Sequence, residues 1–269
     1  TKLATDVYLP QPEGGSWPVI LARSTYGRIG GPVDELLAQG YAVVAQDVRG
    51  MGASEGEKYV FHADGWRAGL TDGVDTVAWI RAQSWCNGKI GTWGGSALGI
   101  TQMLLAPATR DVAAQFIEIA PSDLYEDMFY QGGVFRKSLL EGWLPFIGQA
   151  HLLEVYKSHP ARDDFWSYYN VEARAADITA PALFIGGWYD LFNQGTLDGF
   201  VSREAQGGAG ARGNTYLVMK WSTHMDQPVA DYKLHENISA LNITHLRDAF
   251  YARFLKGDRG LGPAPAAYD

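Results

Sequence analysis

The stretch that decides the fold is Lys89-Ile-Gly-Thr-Trp-Gly-Gly-Ser-Ala-Leu-Gly99, a β-type run that passes through two glycines into a helical pattern. A serine on such a strand-to-helix turn is held in a strained conformation with its hydroxyl exposed above the sheet. The turn also brings the helix N-terminus and the Ala97 backbone N–H close to the serine, where both stabilise a developing oxyanion. We therefore predict Ser96 as a nucleophile. The alternative is a turn without chemistry, because the usual G-x-S-x-G spacing is altered here, with Leu98 in the place of the second glycine.

Short apolar β-type runs alternate with helical patterns on both sides of this stretch. Several runs are apolar at nearly every residue, which indicates strands that are covered on both faces. The alternation predicts the α/β class, with a mostly parallel sheet flanked by helices. The predicted strands are 19–24, 41–48, 89–94, 115–120, 182–188 and 215–221, and the predicted helices are 33–39, 66–83, 98–106, 195–205 and 238–255.

Residues 121–180 interrupt this alternation. They are rich in aromatic side chains and indicate helices and loops without strands. Open α/β sheets bind ligands beyond the carboxyl ends of their strands, where an insert between two strands lies. We therefore predict an α/β core formed by residues 1–120 and 181–269, and a helical insert of residues 121–180, here called the cap segment. The plainer interpretation is a few core helices.

A reactive serine needs a base, and the base needs an orienting acid. In the chain order serine, acid, histidine, Asp190 ends one strand candidate and His224 follows another. Because carboxyl ends of parallel strands meet at one edge of a sheet, we predict that Asp190 holds the His224 imidazole beside Ser96. An aspartate after a strand is by itself more often a helix N-cap, so the prediction depends on all three residues together.

The other histidines fit this role poorly, and only His235 is a rival for the base. His62 precedes the serine, His151 and His159 belong to the cap segment, and His245 lies on the apolar stripe of the last helix.

The composition, net charge and motifs of the chain exclude several classes of protein. With 46% apolar and 19% charged residues, the chain of 269 residues is globular and not disordered. The net charge of −8, without a basic cluster, argues against nucleic-acid binding, and the absence of an apolar run of about 18 residues argues against a membrane helix. There is no metal motif. The G-x-G-x-x-G match at 208–213 precedes a strand instead of following one, so we predict no metal and no cofactor.

Several further motifs carry a resemblance that covers the chain from its first residue to about residue 257. They are Leu3-Ala-Thr-Asp-Val-Tyr-Leu-Pro10, Arg23-Ser-Thr-Tyr-Gly-Arg28, Gln46-Asp-Val-Arg-Gly-Met-Gly-Ala-Ser-Glu-Gly56, Gly94-Gly-Ser-Ala-Leu-Gly99, Ser122-Asp-Leu-Tyr125 with Gly132-Gly133, and Gly187-Trp-Tyr-Asp190. Together they resemble the cocaine-esterase and X-prolyl dipeptidyl-peptidase (CocE/NonD) group of α/β-hydrolases, which also includes α-amino-acid ester hydrolases. The late glycine of the serine motif is similar to that family's G-x-S-x-x-G pattern.

The resemblance implies an α/β-hydrolase fold with an inserted helical cap. It implies Ser96 as nucleophile, Asp190 as acid and His224 as base, with the Tyr26 hydroxyl joining the Ala97 N–H in the oxyanion hole. A phenol can donate to an oxyanion as a backbone amide does.

Two departures from the family pattern stand out. The family's histidine follows Pro-Trp-x-His, whereas this chain has Lys220-Trp-Ser-Thr-His224. The family's C-terminal β-sandwich is expected to be absent, because the sequence ends soon after Gly257, and its absence would leave the pocket more open or that face free for a partner. We interpret Asp47 and Arg49, in the D-x-R-G motif, as an internal ion pair that braces turns.

The sequence thus predicts a serine hydrolase that cleaves small-molecule carboxylic esters through an acyl-enzyme. Five aromatic side chains are predicted to bind a bulky or aromatic substrate, namely Trp188, Tyr189, Phe192, Tyr125 and Phe129.

Two other functions stay open. One is recognition of a free α-amine, as in aminoacyl esters or X-prolyl peptides and amides, with acids at Glu126, Asp127, Asp163 and Asp164. The other is a non-catalytic binding protein on the same fold. We predict neither a nucleic-acid nor a membrane partner, and an oligomer is possible.

Overall fold

A seven-stranded sheet forms the centre of the computed structural model, which describes residues 1–12, 14–28, 30–227, 233 and 242–258. The strand order is β1-β3-β2-β4-β5-β8-β9, and every neighbouring pair is parallel except β1 with β3. The strands are β1 Thr5–Tyr8, β2 Trp17–Ser24, β3 Ala42–Asp47, β4 Cys86–Gly95, β5 Ala114–Glu118, β6 Tyr130–Gln131, β7 Val134–Phe135, β8 Ala182–Tyr189 and β9 Thr215–Thr223. The predicted mostly parallel sheet is confirmed.

Helices cover both faces of this sheet. They are α1 Val33–Ala38, α2 Asp72–Arg81, α3 Ala97–Leu105, α4 Lys137–Phe146, α5 Leu152–Lys157, α6 Asn193–Gln206 and α7 Ile243–Lys256. Leu36 of α1 and Tyr251 of α7 share one apolar cluster with inner residues of β2, β3 and β5. Val77 of α2 and Leu105 of α3 pack on the opposite face. Burial on both faces explains why the central strands are apolar at nearly every position.

Two predicted helices begin five or six residues later in the structure, whereas the other starts agree to within two residues. The helix predicted at 66–83 begins at Asp72, because Arg67 and Leu70 form an isolated bridge and the Leu70 N–H donates to the Arg67 carbonyl in a turn. The helix predicted at 238–255 begins at Ile243, after Asn242 accepts the His245 N–H as a cap. Residues 238–241 of that prediction lie outside the described residues.

The cap segment is folded from short helical pieces around an aromatic cluster. In addition to α4 and α5 it contains a π-helical turn at Tyr125–Phe129 and 3-10 helices at Asp164–Tyr169 and Glu172–Asp177. One detail of the prediction was wrong, because β6 and β7 pair as a small antiparallel hairpin. Gly132 and Gly133 form its turn with φ values of 59° and 79°, which favour glycine. The division into core and insert stays a prediction.

Asp47 and Arg49 do not pair with each other, which corrects the internal ion pair predicted from the sequence. Asp47 accepts from Arg28 at 2.8 Å and from the Ala53 N–H at 2.9 Å, whereas Arg49 binds Asp72 with two hydrogen bonds. The two charges therefore connect the loop after β3 to two other parts of the chain.

Asp127 joins the start of the cap segment to the core. Its Oδ2 accepts the N–H groups of Ser122 and Asp123 at 3.1 and 2.9 Å, and a Cβ added at Gly195 of α6 would lie 2.3 Å from the same oxygen. Burial raises the pKa of Asp127 to about 7, against the opposing effect of the backbone hydrogen bonds and with a further rise from Glu172.

The variant Asp127→Asn tests this buried acid. Because the folded-state pKa lies above the ordinary value of 3.8, the contribution of Asp127 to wild-type stability should fall as the pH rises from about 4 to about 7. The variant has no such proton to lose. The free energy of unfolding of the variant minus that of the wild type should therefore rise by up to about 1.4 kcal/mol per pH unit in this window. Above the window this difference should stay constant.

Urea unfolding at pH 4.5, 6 and 8 measures this difference. Asp34→Asn is the control, because it makes the same change at an exposed aspartate in the first turn of α1 that contacts no histidine among the described residues. A difference for Asp127→Asn that stays constant over the three pH values would contradict the prediction.

Candidate active site

Ser96 lies in the turn between β4 and α3 with φ 54° and ψ −122°. A side chain rarely adopts this conformation, which costs free energy and persists only where the surroundings enforce it. The β4–β5 register sets Gly95 opposite Glu118, and the Ser96 N–H donates to the Glu118 carbonyl at 3.0 Å. The neighbouring strand therefore holds the turn in place.

Glycines permit the close packing around this turn. A Cβ at Gly94 would lie 2.5 Å from the Leu98 Cβ, and Gly94 has a φ of 137°. A Cβ at Gly99 would lie 2.6 Å from the Ala120 Cβ and 3.0 Å from the Glu118 carbonyl oxygen. The second glycine thus stands at position 99 because that face of α3 packs on the end of β5.

Two hydrogen bonds join the three predicted catalytic side chains. His224 Nε2 lies 2.9 Å from Ser96 Oγ, and His224 Nδ1 lies 2.6 Å from Asp190 Oδ2. The Asp190 side chain is fully buried, and its other oxygen accepts the Phe192 N–H at 2.6 Å. These bonds favour the imidazole with its proton on Nδ1 and a free Nε2 that accepts from the serine hydroxyl.

The sheet explains how residues so far apart in the chain meet. Ser96, Asp190 and His224 follow β4, β8 and β9, whose carboxyl ends lie on the same edge. Between Gly187 and Tyr189 the register of β8 on β9 advances by one residue, as in a β-bulge. This bulge accommodates the additional residue in Lys220-Trp-Ser-Thr-His224. The Thr223 hydroxyl donates to the Gln227 carbonyl at 2.8 Å and shapes the turn that carries His224.

Tyr26 follows β2, which pairs directly with β4. Its side chain is 39% exposed, and its hydroxyl accepts a hydrogen bond from Trp143 Nε1 at 2.8 Å. Ala97 opens α3 next to Ser96, so its backbone N–H belongs to the first turn of the helix. Both predicted oxyanion donors thus follow strands adjacent to each other in the sheet.

The predicted substrate-binding aromatics fall into two groups. Trp188 and Tyr189 are more than half exposed, and Phe192 places its ring edge against His224 with centroids 5.4 Å apart. Tyr125 and Phe129 are buried in the aromatic cluster of the cap segment, where the Tyr125 hydroxyl donates to the Pro160 carbonyl. The packing assigns these two to that core, in place of the substrate contact predicted from the sequence.

Two site neighbours were missed by sequence reasoning. Arg136, at the start of α4, donates to the carbonyl oxygens of Asp127 at 2.6 Å and Leu191 at 3.1 Å, and burial lowers its pKa. It thereby ties the cap segment to the loop that carries Asp190. In the sequence, Trp143 is one of many aromatic residues in the cap segment and has no distinguishing motif. No local pattern marks either residue, because both act across contacts between distant segments.

An open cavity of about 440 Å³ adjoins the acid loop. Its lining residues are Arg136, Lys137, Ser138, Leu139 and Leu191, so it borders the loop after Asp190 and does not include Ser96 or His224. Within the described residues, no group of three or more His, Cys, Asp or Glu side chains could hold a metal ion, and no helix has the length and apolarity to cross a membrane.

Four other histidines among the described residues have different surroundings. His62 contacts the Tyr169 hydroxyl, His151 the Lys58 carbonyl and His159 the Asp163 carboxylate, and His245 lies in α7. His235, the rival base, lies outside the described residues.

Comparison with known proteins points to one family. The X-Pro dipeptidyl-peptidase (S15) family model matches residues 1–154 and 147–226. Cocaine esterase from Rhodococcus sp. is 28% identical over 320 residues, which cover 96% of this chain and 53% of the esterase. The chain therefore spans about half the length of this curated relative.

Solved structures confirm the predicted α/β-hydrolase fold. A CocE/NonD family hydrolase from Staphylococcus aureus superposes with a TM-score of 0.76 at 23% identity, over 95% of this chain and 48% of that one. An α-amino acid ester hydrolase superposes with a TM-score of 0.71 at 21% identity, over 98% of this chain and 53% of that one.

Gly99→Ala tests the packing behind the serine turn. The added methyl group would overlap Ala120 and the Glu118 carbonyl, so we expect the free energy of unfolding to fall by about 1–3 kcal/mol in a urea titration. Gly142→Ala is the matched control, because it lies within α4 with no atom near the added Cβ and should stabilise by about 0.5–1 kcal/mol. Equal stabilisation by both substitutions would show that Gly99 is not required for close packing.

Proposed function

Because the chain belongs to the X-Pro dipeptidyl-peptidase (S15) family, as its motifs predicted, we propose that it is a serine hydrolase that cleaves carboxylic esters through an acyl-enzyme intermediate. The observation that carries this proposal is the chain of hydrogen bonds from buried Asp190 through His224 to Ser96. An imidazole with one nitrogen bound to a buried carboxylate and the other on a serine hydroxyl is suited to remove the hydroxyl proton.

Acylation begins when Ser96 Oγ attacks the ester carbonyl carbon and His224 Nε2 takes the hydroxyl proton. The carbonyl oxygen becomes an oxyanion that accepts hydrogen bonds from the Ala97 N–H and the Tyr26 hydroxyl. The imidazolium, stabilised by Asp190, then protonates the leaving alkoxide oxygen, so that an alcohol departs and an acyl-serine remains.

Deacylation repeats these steps with water. His224 takes a proton from water as the water oxygen attacks the acyl carbon, and it returns that proton to Ser96 Oγ when the second tetrahedral intermediate collapses. A carboxylic acid leaves. The strained turn at Ser96 keeps the nucleophile in one position throughout, so little orientation is lost between the two halves of the reaction.

Exposed aromatic side chains favour a substrate with an apolar part. Trp188 and Tyr189 offer ring surface at the end of β8, directly before Asp190. Aromatic rings bind bulky acyl or aryl groups through apolar contact. The relative named cocaine esterase supports an ester as the bond that is cleaved.

The alternative substrate class carries a free α-amine, as the family's name suggests. Such an amine needs carboxylates that are not already bound within the protein. Of the acids named for this role, Glu126 accepts the Gly132 N–H, Asp127 accepts two backbone N–H groups, and Asp163 accepts from Phe165 and contacts His159. Asp164, the fourth acid, is exposed at the first position of the 3-10 helix Asp164–Tyr169. Because the other three are already bound within the cap segment, the contacts favour a neutral ester over an amine.

Ser96→Ala tests the mechanism. We expect kcat on a neutral aryl ester to fall by about 10⁴-fold or more, because the Ser96 hydroxyl is the one that His224 Nε2 contacts among the described residues. The circular dichroism spectrum should be unchanged. A fluorophosphonate should label the wild type once and leave Ser96→Ala unlabelled. The control variant is Ser138→Ala, which replaces an exposed serine at the start of α4 and should be labelled like the wild type. Retained turnover or labelling in Ser96→Ala would refute the mechanism.

A pair of substrates that differ in one group tests the substrate class. We expect the 4-nitrophenyl ester of 3-phenylpropanoic acid to exceed the corresponding ester of phenylalanine in kcat/KM by at least about 10-fold, since three of the four candidate carboxylates already accept hydrogen bonds within the cap segment. The two esters share the acyl skeleton and the leaving group. Because an α-ammonium group also activates the ester carbonyl inductively, each kcat/KM is divided by the rate constant for uncatalysed hydrolysis of that ester, so that the ratio reports recognition of the amine. A higher kcat/KM for the phenylalanine ester after this correction would favour amine recognition.

A further inference from the structure

The hydrogen bond between Trp143 and Tyr26 has only one possible direction. An indole Nε1–H is a donor and has no acceptor lone pair in its ring plane, so Trp143 donates and the Tyr26 oxygen accepts, at 2.8 Å. The proton of the Tyr26 hydroxyl therefore points away from the indole and remains available for a different acceptor.

This bond has two effects on the phenol. It restricts rotation of the O–H group, which would otherwise be free on a side chain that is 39% exposed. It also polarises the O–H bond, because a hydroxyl that accepts one hydrogen bond donates a stronger one. Both effects improve a donor that must be oriented before the oxyanion forms.

Aromatic packing fixes the position of the Trp143 indole. The Phe61 ring lies nearly parallel to the Trp143 ring, with an interplanar angle of 11° and centroids 5.8 Å apart. Phe61 is only 2% exposed and has a φ of 65°, a strained value for a bulky side chain. The preceding Val60 N–H is bound by the Gln149 side chain at 2.8 Å. The loop that carries Phe61 is thus fixed by the core.

The geometry points to Trp143 as a positioning residue, which directs the Tyr26 hydroxyl proton toward the oxyanion and acts on the reaction only through Tyr26. This inference rests on the proposed function, because it assumes that Tyr26 donates to the oxyanion. It also connects the cap segment, through α4, to the reacting centre.

A double-mutant cycle tests the inference on the full chain. Trp143→Phe retains an aromatic ring over Phe61 and removes the N–H donor, and Tyr26→Phe removes the hydroxyl. With a neutral aryl ester, we expect kcat to fall by about 10²–10³-fold for Tyr26→Phe and by about 10-fold for Trp143→Phe, with KM changed by less than about 3-fold in both. The double variant should have the kcat of Tyr26→Phe, because Trp143 has no hydroxyl left to orient.

Phe146→Leu is the control for packing. Phe146 is the other ring beside Tyr26, with centroids 6.4 Å apart, and it is 78% exposed. Its replacement leaves the Trp143–Tyr26 hydrogen bond in place, so we expect kcat within about 2-fold of the wild type. A loss in kcat as large as that of Trp143→Phe would assign the effect to packing and overturn the inference.

The remaining outcomes also decide the question. If the effects of Trp143→Phe and Tyr26→Phe on kcat multiply in the double variant, Trp143 does not act through Tyr26 and the inference is wrong. If Tyr26→Phe leaves kcat unchanged, the inference is wrong. The proposed function is not affected by that result, because Ser96→Ala tests it independently. Should circular dichroism show that Trp143→Phe is unfolded, Trp143→Met, which also lacks the donor, replaces it in the cycle.

Discussion

The strained backbone at Ser96 is the constraint on which the rest of the site depends. A side chain at φ 54° and ψ −122° persists only if the surrounding structure is more favourable with the strain than without it. Here β5 supplies a carbonyl for the Ser96 N–H, and glycines at 94 and 99 let β4, α3 and β5 approach closely. The hydroxyl then points to the carboxyl edge of the sheet, where β8 and β9 deliver the acid and the histidine.

Buried polar contacts brace the strand that carries Tyr26. Arg23, near the end of β2, donates to Gln46 of β3 at 2.9 Å and pairs with Asp64 at 2.5 Å. Thr76 of α2 donates to the same Gln46 side chain. A buried charge that lost its partner would be costly, so these bonds hold the end of β2 in one arrangement three residues before Tyr26. The position of Tyr26, the predicted oxyanion donor, therefore depends on these contacts in the core below it.

The features that the sequence predicts are those controlled by local pattern and strand order. Apolar runs and turn glycines identify the parallel strands, and parallel strands bring their carboxyl ends to one edge, which is why Asp190 and His224 could be predicted beside Ser96. Features that arise from contacts between distant segments were not predictable. The β-bulge before Tyr189, the pairing of Arg49 with Asp72 and the burial of Tyr125 and Phe129 each depend on which segments meet after folding. Trp143 belongs to the same class, since 117 residues separate it from Tyr26.

Arg136 and Trp143 stand near opposite ends of α4, and each reaches out of the cap segment to a loop at the sheet edge. Arg136 binds the backbone beside Asp190 and Trp143 binds Tyr26, so this single helix contacts both the acid loop and the predicted oxyanion donor. Anyone who exchanges residues 121–180 for a foreign insert in order to alter substrate range would remove both supports at once. A successful graft must supply a cation for the Leu191 carbonyl and an N–H for the Tyr26 phenol.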